Sequence, residues 1–331
     1  MARYGINPAR GKVSSYRPAK INVVLLTCIP DLQGYFQHKL DILRISLHSL
    51  RQHTNLPYDL FVFDNGSCTE VIDYLSQQKE AGMIDYLFLS RRNIGKIGAL
   101  KIVFNSLPGE IIAYADDDIL YYPNWLEAQL DILEKFPRAG MVSGVPVRNA
   151  SRHAMKSILK LVENEGAKVS ISYERRIPDE WESDWALSTG RDVESHLQET
   201  QSHLDIVLKT NGLEAIGASN HFQFVCYKNV ILQALPQDWS GKLMGHMLEL
   251  DQAVDALGYL RLSTSKRYTR HLGNALSPRL MDELRSLGIS IPEEAPSQHR
   301  RKKHWLLSLP GSGRLLKAVY NRLFYILHRI E

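Results

Sequence analysis

The chain has 331 residues, of which 44% are hydrophobic and 23% are charged, as in an ordinary globular protein with one large or two small domains. No apolar run approaches the length that spans a membrane, and no signal peptide is evident. The net charge of +4 is uneven, because residues 299–331 hold eight Lys/Arg and a single acidic residue. That stretch carries +7 and leaves −3 for the rest of the chain, which argues against nucleic-acid binding by the main domain.

The three cysteines, Cys28, Cys68 and Cys226, are odd in number and lack the spacing of metal ligands. We therefore expect free thiols in a reducing compartment. The sequence accordingly predicts a cytoplasmic protein.

Strand and helix patterns alternate through the first half of the chain. After a loose basic arm over residues 1–20, the apolar, β-branched run 21–27 predicts a buried strand, and Leu and Ile at helical spacing predict a helix over 39–53. Further strands are predicted at 58–63, 84–89, 111–115 and 141–147, and further helices at 69–80, after Gly95 and at 124–136. This alternation implies βαβ units and a mostly parallel sheet, whose ligand crevice lies at the carboxyl ends of the strands.

Acidic turns follow two of these predicted strands. Asp64 begins the turn sequence DNGS after strand 58–63. Asp116, Asp117 and Asp118 come directly after strand 111–115. Because the carboxyl ends of parallel strands meet at one edge of a sheet, we expect both turns to belong to one site.

Three adjacent carboxylates repel one another, and burying them is costly unless a positive group lies among them. A hard divalent cation, Mg²⁺ or Mn²⁺, is the natural partner, because it also holds phosphate oxygens. The alternative is a solvated acidic turn that caps the next helix, near Pro123. Residues 116–118 alone do not decide between these interpretations.

The second half of the chain is less regular. Residues 148–205 are polar, and they include Arg175, Arg176, Trp181 and Trp185 among acidic residues. We interpret this stretch as an insertion or mobile region near the site, where an acceptor is recognised. The alternative is a solvent-exposed helical segment. The next regular sequence pattern predicts a loop and a strand over 213–227. A helix is then predicted at 243–257, a strand at 259–263 and a loop at 271–274.

The basic tail, predicted over 276–331, contains HRRKKH at 299–304 and a Pro-Gly-Ser-Gly break at 310–313. Beyond the break, residues 314–330 predict an amphipathic helix. Its apolar face is formed by Leu316, Val319, Tyr320, Leu323, Leu327 and Ile330. Its basic face is formed by Arg314, Lys317, Arg322 and Arg329. Such a helix suits an anionic membrane surface, and the alternative is a helix docked on the protein's own core.

Five ordered motifs occur between residues 20 and 275: VVLLTCIP at 23–30, VFDNGS at 62–67, NIGKIGAL at 93–100, YADDDILYYPNWLE at 114–127 and ELDQAVDALGY at 249–259. In this order and spacing the chain resembles a family 2 glycosyltransferase of the GT-A fold. The resemblance implies an α/β, Rossmann-like domain over 21–275, with a mostly parallel sheet flanked by helices and a C-terminal helical tail. Its nucleotide-binding half would be 21–147, and its acceptor or insertion half 148–275.

The resemblance also implies a nucleotide-sugar donor, with UDP as the expected nucleotide. Asp64 matches the acid that contacts the base, and Asn93 and Gly95 match the Asn-x-Gly element that lines the nucleotide pocket. Lys96 stands where many relatives carry an uncharged residue, so its contact with the donor phosphates is our own hypothesis.

The metal site would be built on the DXD motif, whose ends match Asp116 and Asp118. Asp116 and Asp117 are then expected to contact the donor, and Asp118 to bind Mn²⁺ or Mg²⁺ together with Asp116. His271 lies after the following strand, where some GT-A enzymes place a further metal ligand. The alternative for His271 is a structural role.

The catalytic base is where the chain departs from the family. Aligning on Gly258-Tyr259 places His246-Met247 where a pair of acids is usual. The nearest carboxylates are Glu249 and Asp251, and we take them as the two candidate bases. The alternative is that both are ordinary acids near a helix N-terminus, favoured there by the helix dipole. Further residues that could face the acceptor are Asn220 and His221.

The sequence therefore predicts an inverting, metal-dependent glycosyltransferase that acts on a glycan or lipid-linked acceptor in polysaccharide or cell-envelope synthesis. We expect no nucleic-acid partner and peripheral contact with an anionic membrane through residues 299–330. One alternative is a non-catalytic GT-A domain that binds a nucleotide sugar or a partner. Another is a sugar nucleotidyltransferase, but residues 27–35 lack the Gly-rich, basic phosphate loop that it would favour.

Overall fold

The structure is a computed structural model that describes residues 15–163, 169–238 and 247–289, together with residues 11, 319 and 322. The chain divides into two compact units, Met1–Ile291 and Pro292–Glu331. In the second unit Val319 and Arg322 are helical and exposed. The remainder of the predicted helix 314–330, the basic run 299–304 and most of the arm 1–20 lie outside the described residues.

The described helices follow the predicted order in the first half of the chain. They are α1 (Lys39–His53), α2 (Thr69–Glu80), α3 (Lys96–Ser106), α4 (Trp125–Lys135), α5 (Lys156–Glu163), α6 (Asp179–Ser188), α7 (Val193–Glu199), α8 (Lys228–Ala234), α9 (Met247–Ala256) and α10 (Pro278–Ser286). Of the ranges predicted as helices, 39–53 and 69–80 agree with the structure at both ends.

The described strands are β1 (Ile21–Thr27), β2 (Tyr58–Asp64), β3 (Tyr86–Leu89), β4 (Ile111–Asp116), β5 (Ile119–Tyr121), β6 (Ala139–Ser143), β7 (Ser170–Glu174), β8 (Asp205–Thr210), β9 (Leu213–Gly217), β10 (Gln223–Tyr227), β11 (Leu260–Thr264) and β12 (Thr269–His271). Ten of them form one sheet in the order β3-β2-β1-β4-β10-β6-β11-β9-β8-β7, while β5 and β12 pair separately.

The large sheet is mixed, with a parallel half and an antiparallel half. Strands β3, β2, β1 and β4 are parallel neighbours, and β6 and β11 form a further parallel pair. Strand β10 runs against both β4 and β6, and β7, β8 and β9 pair antiparallel. Seven of these ten described strands therefore share one direction, which confirms the predicted α/β class and its mostly parallel sheet.

Alternating side chains of β1 enter two different cores, because successive residues of a strand point to opposite faces. Val23 and Leu25 pack with apolar residues of α1, α2 and α4. Val24 and Leu26 pack with apolar residues of α3, α8 and α9. The central strands are thus covered by helices on both faces, which leaves their carboxyl ends as the accessible edge.

Two short strands were not predicted. Strand β5 begins directly after the three aspartates, and its partner β12 ends at His271. His271 therefore ends a strand, and the predicted loop over 271–274 begins one residue later. Three-residue strands are too short to show a reliable periodicity in sequence.

Residues 276–289 add a helix to the first compact unit. Leu280 and Leu284 of α10 pack with Ile42 and Ile45 of α1 and with Leu120 of β5. The compact unit extends to Ile291, whereas the sequence placed the start of the tail at 276. The functional halves 21–147 and 148–275 stay predictions.

Candidate active site

The parallel strands bring the two acidic turns to the same edge of the sheet. Asp64 lies beside Thr27 in the register of β2 and β1. Asp116 lies beside Leu26 in the register of β4 and β1. The expectation that both turns lie at one sheet edge is therefore met.

Two lysines neutralise the acidic turn. The Nζ atom of Lys39 lies 2.5 Å from Asp117 Oδ1 and 3.2 Å from Asp118 Oδ2. Lys96 Nζ lies 2.7 Å from Asp116 Oδ2. These ammonium groups explain how three adjacent carboxylates pack at the sheet edge, since an unpaired buried charge is strongly unfavourable.

The two deeper aspartates differ in acidity. Burial raises the pKa of Asp117, although Lys39 and a 2.6 Å hydrogen bond donated by Thr27 Oγ1 oppose it. Burial would also raise the pKa of Asp118, but the positive charges of His271 and Lys39 outweigh it and lower the pKa to about 2. Asp118 is therefore ionised near neutral pH.

His271 lies beside Asp118 at the edge of the sheet. Its Nε2 lies 3.5 Å from Asp118 Oδ1, and its Nδ1 lies 2.8 Å from the hydroxyl of Ser188. In the neutral ring, with Nδ1 donating to Ser188, Nε2 would present its lone pair to a cation bound beside Asp118. Such a secondary contact is what orients metal-binding histidines in proteins.

The chemistry of these donors suits a divalent ion. Asp118 Oδ1 is buried and has no hydrogen-bond partner among the described residues, and Mn²⁺ accepts both carboxylate oxygen and imidazole nitrogen. Asp116, the third predicted ligand, is instead paired with Lys96 and with the hydroxyl of Tyr114. No group of three or more His, Cys, Asp or Glu side chains arranged to hold a metal ion occurs in the described part of the chain. Further ligands would have to come from phosphate oxygens or water.

The predicted nucleotide-binding residues form a hydrogen-bonded corner between two loops. Asn65 Nδ2 donates to Asn93 Oδ1 at 3.0 Å, and Asn93 Oδ1 also accepts from the backbone N–H of Gly95 at 2.8 Å. Gly66 and Gly95 have positive φ angles, and a Cβ at Gly66 would lie 2.7 Å from the backbone of Arg92. Glycine is therefore needed at Gly66 for the two loops to approach so closely.

Asp64 stabilises the 64–67 turn, which forms part of this corner. Its Oδ2 accepts hydrogen bonds from the backbone N–H groups of Gly66 and Ser67, both at 3.2 Å. The residue is fully buried, and its Oδ1 has no hydrogen-bond partner within the described structure. Contact between Asp64 and a nucleotide base stays a prediction; the observed contacts are those of a residue that fixes the 64–67 turn.

The two candidate bases differ sharply in exposure, because they lie two apart on α9 and do not share a helix face. Glu249 is exposed, whereas Asp251 is fully buried. Asp251 Oδ2 lies 2.9 Å from His153 Nε2, 2.9 Å from His221 Nδ1 and 3.1 Å from a nitrogen of Arg261. Both residues belong to α9 as described.

The protonation state of Asp251 follows from these contacts. Burial alone would raise its pKa, but hydrogen bonds with His153 and His221 and the charge of Arg261 outweigh burial and lower the pKa to about 2. A carboxylate this acidic is a poor proton acceptor near neutral pH, because the best bases have a pKa close to the working pH.

Several residues around the site were not singled out from the sequence. They are Thr27, Lys39, His153, Ser188 and Arg261. A Lys at the start of a helix or a Ser at the end of one carries no sequence signal for a partner about 80 residues away. Of the two residues predicted to face the acceptor, His221 contacts Asp251, while Asn220 donates to the carbonyl oxygen of Val145 at 2.7 Å; the predicted contact with the acceptor stays a prediction.

Residues 36–185 match the family model for glycosyl transferase family 2. The match includes the 64–67 turn, the Asn93–Gly95 element and all three aspartates, and it ends before Asp251 and His271. Over these 150 of its 331 residues the chain is similar to glycosyltransferase family 2.

Two solved structures resemble parts of the chain. The mannosyltransferase PcManGT from Pyrobaculum calidifontis, in complex with GDP-Man and Mn²⁺, is 21% identical over 41% of this chain and 37% of that chain, with a TM-score of 0.32. GalNAc-T7 with UDP, GalNAc and Mn²⁺ is 15% identical over 76% of this chain and 43% of that chain, with a TM-score of 0.43. The chain thus spans less than half the length of either. No curated protein matches it.

Other predictions concern the setting of the site. Cys28, Cys68 and Cys226 are free cysteines, as expected. Among the described helices none is both long enough and apolar enough to cross a membrane. The predicted membrane contact through residues 299–330 falls outside the described residues except at Val319 and Arg322.

Proposed function

We propose that the protein moves a sugar from a nucleoside-diphosphate sugar to a hydroxyl acceptor, with inversion at the anomeric carbon and with Mn²⁺ or Mg²⁺ bound. The observation that carries this proposal is the pairing of the buried, ionised Asp118 with His271 at the carboxyl edge of the sheet. The family 2 match over residues 36–185 supports the reaction class.

The donor would lie along the edge formed by the 64–67 turn, the Asn93–Gly95 element and the acidic turn. We assign Asp64, Asn93 and Gly95 to the nucleoside, with UDP as the proposed nucleotide. Donor phosphates would then lie near Lys96, Asp116 and Asp117. Lys96 is paired with Asp116 in the structure, so its contact with phosphate requires it to share or exchange that partner.

Asp118 and His271 would hold the divalent ion, with Asp116 as a proposed additional ligand. When bound, the ion would stabilise the negative charge that develops on the departing nucleoside diphosphate. Lys39 and Lys96 contribute fixed positive charge to the same cluster. The acceptor hydroxyl must lose a proton as its oxygen attacks, and the carboxylates proposed from the sequence for this step are Asp251 and Glu249.

A non-catalytic domain that binds a nucleotide sugar is the second candidate. It is favoured by Lys39, which already neutralises Asp117 and Asp118 without a metal ion. A nucleotide sugar held beside this lysine would need no ion for binding. The two candidates differ in whether donor cleavage occurs and whether it depends on a divalent ion.

The deciding experiment is release of nucleoside diphosphate from UDP-, GDP- and dTDP-sugars, first with Mn²⁺ and then with EDTA. We expect release from one donor, lost in EDTA and reduced at least about 100-fold in Asp118→Asn. The control is Asp131→Asn, which alters an exposed side chain paired with Lys135 on α4 and should leave release unchanged. Equal turnover by wild type and Asp118→Asn would refute the metal site. Donor binding without release, in the presence of acceptor glycans, would support the non-catalytic domain.

We further propose that the acceptor is a glycan or a lipid-linked sugar of polysaccharide or cell-envelope synthesis. The protein would then act in the cytoplasm, at the inner face of the membrane. The support is the charge of residues 299–331, which carry eight Lys/Arg against one acid.

A further inference from the structure

We propose that His221 is the group that takes the proton from the acceptor hydroxyl, and that Asp251 is a positioning residue which orients its ring. This inference rests on the proposed transfer to a hydroxyl acceptor. It replaces a carboxylate with an imidazole as the proton acceptor, and it gives the buried Asp251 a role that does not require contact with the acceptor.

The contacts of Asp251 make it a poor candidate for taking the proton directly from the acceptor hydroxyl. The residue is fully buried, and three donors converge on its Oδ2: His153 Nε2, His221 Nδ1 and a guanidinium nitrogen of Arg261. An acceptor hydroxyl would have to displace one of them to reach Oδ2, and Oδ1, which has no hydrogen-bond partner among the described residues, is buried. The His221 side chain, by contrast, is 34% exposed.

The hydrogen bond between Asp251 and His221 also sets the tautomer of the ring. An ionised carboxylate can only accept hydrogen bonds, so His221 Nδ1 must carry the proton and donate it. In the neutral ring Nε2 is then left with its lone pair, ready to accept a proton. This is the arrangement in which a carboxylate fixes a histidine for general-base catalysis.

The chain places His221 next to the acidic turn. Its neighbour Phe222 accepts a hydrogen bond from the backbone N–H of Asp116 at 2.9 Å. The ring of Phe222 also packs edge-on against His271, with 5.1 Å between centroids. Phe222, the residue directly after His221, therefore contacts both Asp116 and the imidazole that faces Asp118. An acceptor beside the proposed donor site would lie within the neighbourhood of His221.

The step conserves atoms and charge. The acceptor oxygen forms a bond to the anomeric carbon while its proton passes to His221 Nε2. The bond from the anomeric carbon to the β-phosphate oxygen breaks, and its electron pair leaves with the nucleoside diphosphate. His221 becomes an imidazolium, which the Asp251 carboxylate stabilises, and then returns its proton to water.

His153 is the competing histidine, because it contacts the same carboxylate oxygen. Its bond to Asp251 uses Nε2, and its carbonyl oxygen is held by Arg261. No described contact joins it to the acidic turn. The charged groups that face the pair are Asp251 and Arg261, and Asp255 lies close enough to Arg261 to act on its charge. We assign His153 to the support of Asp251.

The test compares two variants that each keep the hydrogen bond to Asp251. The side-chain amide of Asn can donate a hydrogen bond from the position of histidine Nδ1. His221→Asn therefore keeps the donor to Asp251 and removes the nitrogen that would accept the proton. Gln replaces the Nε2 side, so His153→Gln is the matched variant. The assays use Mn²⁺, the panel of UDP-, GDP- and dTDP-sugars, and methyl glycosides or water as acceptors. We expect kcat/KM to fall at least about 100-fold in His221→Asn and less than about tenfold in His153→Gln. His203→Gln, in which the Gln amide can keep the Nε2 contact of His203 with Ser151, should match the wild type.

A pH profile separates catalysis from structure. A protonated imidazole cannot accept a proton, so wild-type kcat/KM should decline as the pH falls. At saturating Mn²⁺, where metal binding does not limit the rate, that decline should be absent from His221→Asn and present in His153→Gln. Donor affinity, measured by calorimetry, should be kept in both.

The possible results are distinguishable. If wild type releases nucleoside diphosphate and His221→Asn does so equally well, or with the same acidic decline, His221 is not the base although the proposed function stands. A large loss in His153→Gln alone would transfer the role to His153 and overturn the assignment. If wild type cleaves none of the donors, both the proposed function and this inference fail.

Discussion

At the scale of single residues, Lys39 is the charge on which the acidic turn depends. Its side chain is almost completely buried, and it contacts the carboxylates of Asp117 and Asp118. Burial opposes its charged form, but the two aspartates outweigh burial and raise its pKa above the usual value. The lysine is therefore charged throughout the physiological range, and it holds the turn in place whether or not a divalent ion is bound.

We expect Lys39→Met to destabilise the protein by about 3–5 kcal/mol at pH 7, because breaking a buried ion pair leaves an uncompensated charge. Methionine keeps most of the apolar stem, so the loss reports charge rather than packing. Without Lys39 the pKa of Asp117 should rise further than burial already raises it. An acid with a raised folded-state pKa destabilises most at high pH, so the deficit should shrink as the pH falls from 7 to 5. Urea unfolding of wild type and variant at both pH values measures this.

The control for that measurement is Lys135→Met. Lys135 and Asp131 form an exposed pair one turn apart on α4, which should be worth less than about 0.5 kcal/mol. Adding Mn²⁺ should restore part of the stability of Lys39→Met and none of that of Lys135→Met. A deficit in Lys39→Met that is the same at pH 7 and pH 5 would contradict the charge argument.

The residue types at the site were predictable, but most of their partners were not. The three aspartates stand out because they follow a buried strand, whereas His271 was proposed from the family resemblance. The Asp118–His271 contact joins residues 153 positions apart, which local sequence patterns do not encode. Asp251 was proposed as a base from the family resemblance and its distance from Gly258-Tyr259, whereas its burial beneath two histidines depends on how α9 packs.

At the scale of elements, the end of α6 is bound to the end of β12. Ser188 is the last residue of α6 and contacts His271, the last residue of β12. Gly273 has a φ angle of +70°, and a Cβ there would lie 2.3 Å from the carbonyl oxygen of Ser188. The close approach of these two segments therefore requires glycine, and it is this approach that orients the His271 ring.

Gly273→Ala should consequently destabilise the protein by at least about 3 kcal/mol, combining the cost of a left-handed alanine with that of overpacking against backbone. Gly212→Ala is the matched control, because Gly212 has a similar φ of +77° but nothing within 4 Å of the added Cβ. Its cost should be about 1–2 kcal/mol. Thermal or urea unfolding gives both values, and equal losses would show that Ser188 can retreat from residue 273 without cost.

The elements predicted best are those with long apolar patterns. Strand β1 and helices α1 and α2 occur at the predicted bounds because their stripes extend over seven or more residues. Residues 148–205 offered no such pattern, and the structure there contains short elements such as β7, which is mostly exposed, and α7 of seven residues. Short elements gain their stability from neighbours that sequence periodicity does not reveal.

At the scale of the whole molecule, charge is divided between the two parts of the chain. Residues 299–331 carry +7, and the rest of the chain is slightly acidic. Each Lys or Arg near an anionic membrane surface contributes roughly 1 kcal/mol to binding, and salt screens this attraction. The attraction would act on the protein through residues 299–331 and not through the rest of the chain.

We therefore expect the full chain to sediment with vesicles that contain anionic lipid, and to be released as salt is raised. Changing Arg300, Arg301, Lys302 and Lys303 to Gln should weaken binding by about 10-fold or more, since four such charges are lost. The matched control changes Arg3, Arg10, Lys12 and Arg17 to Gln, which removes the same net charge from the other end of the chain. If both variants lose affinity equally, binding follows net charge and residues 299–331 are not the contact. If neither binds less tightly than wild type, the electrostatic account of this segment is wrong, and the docking of its apolar face on protein becomes the better explanation.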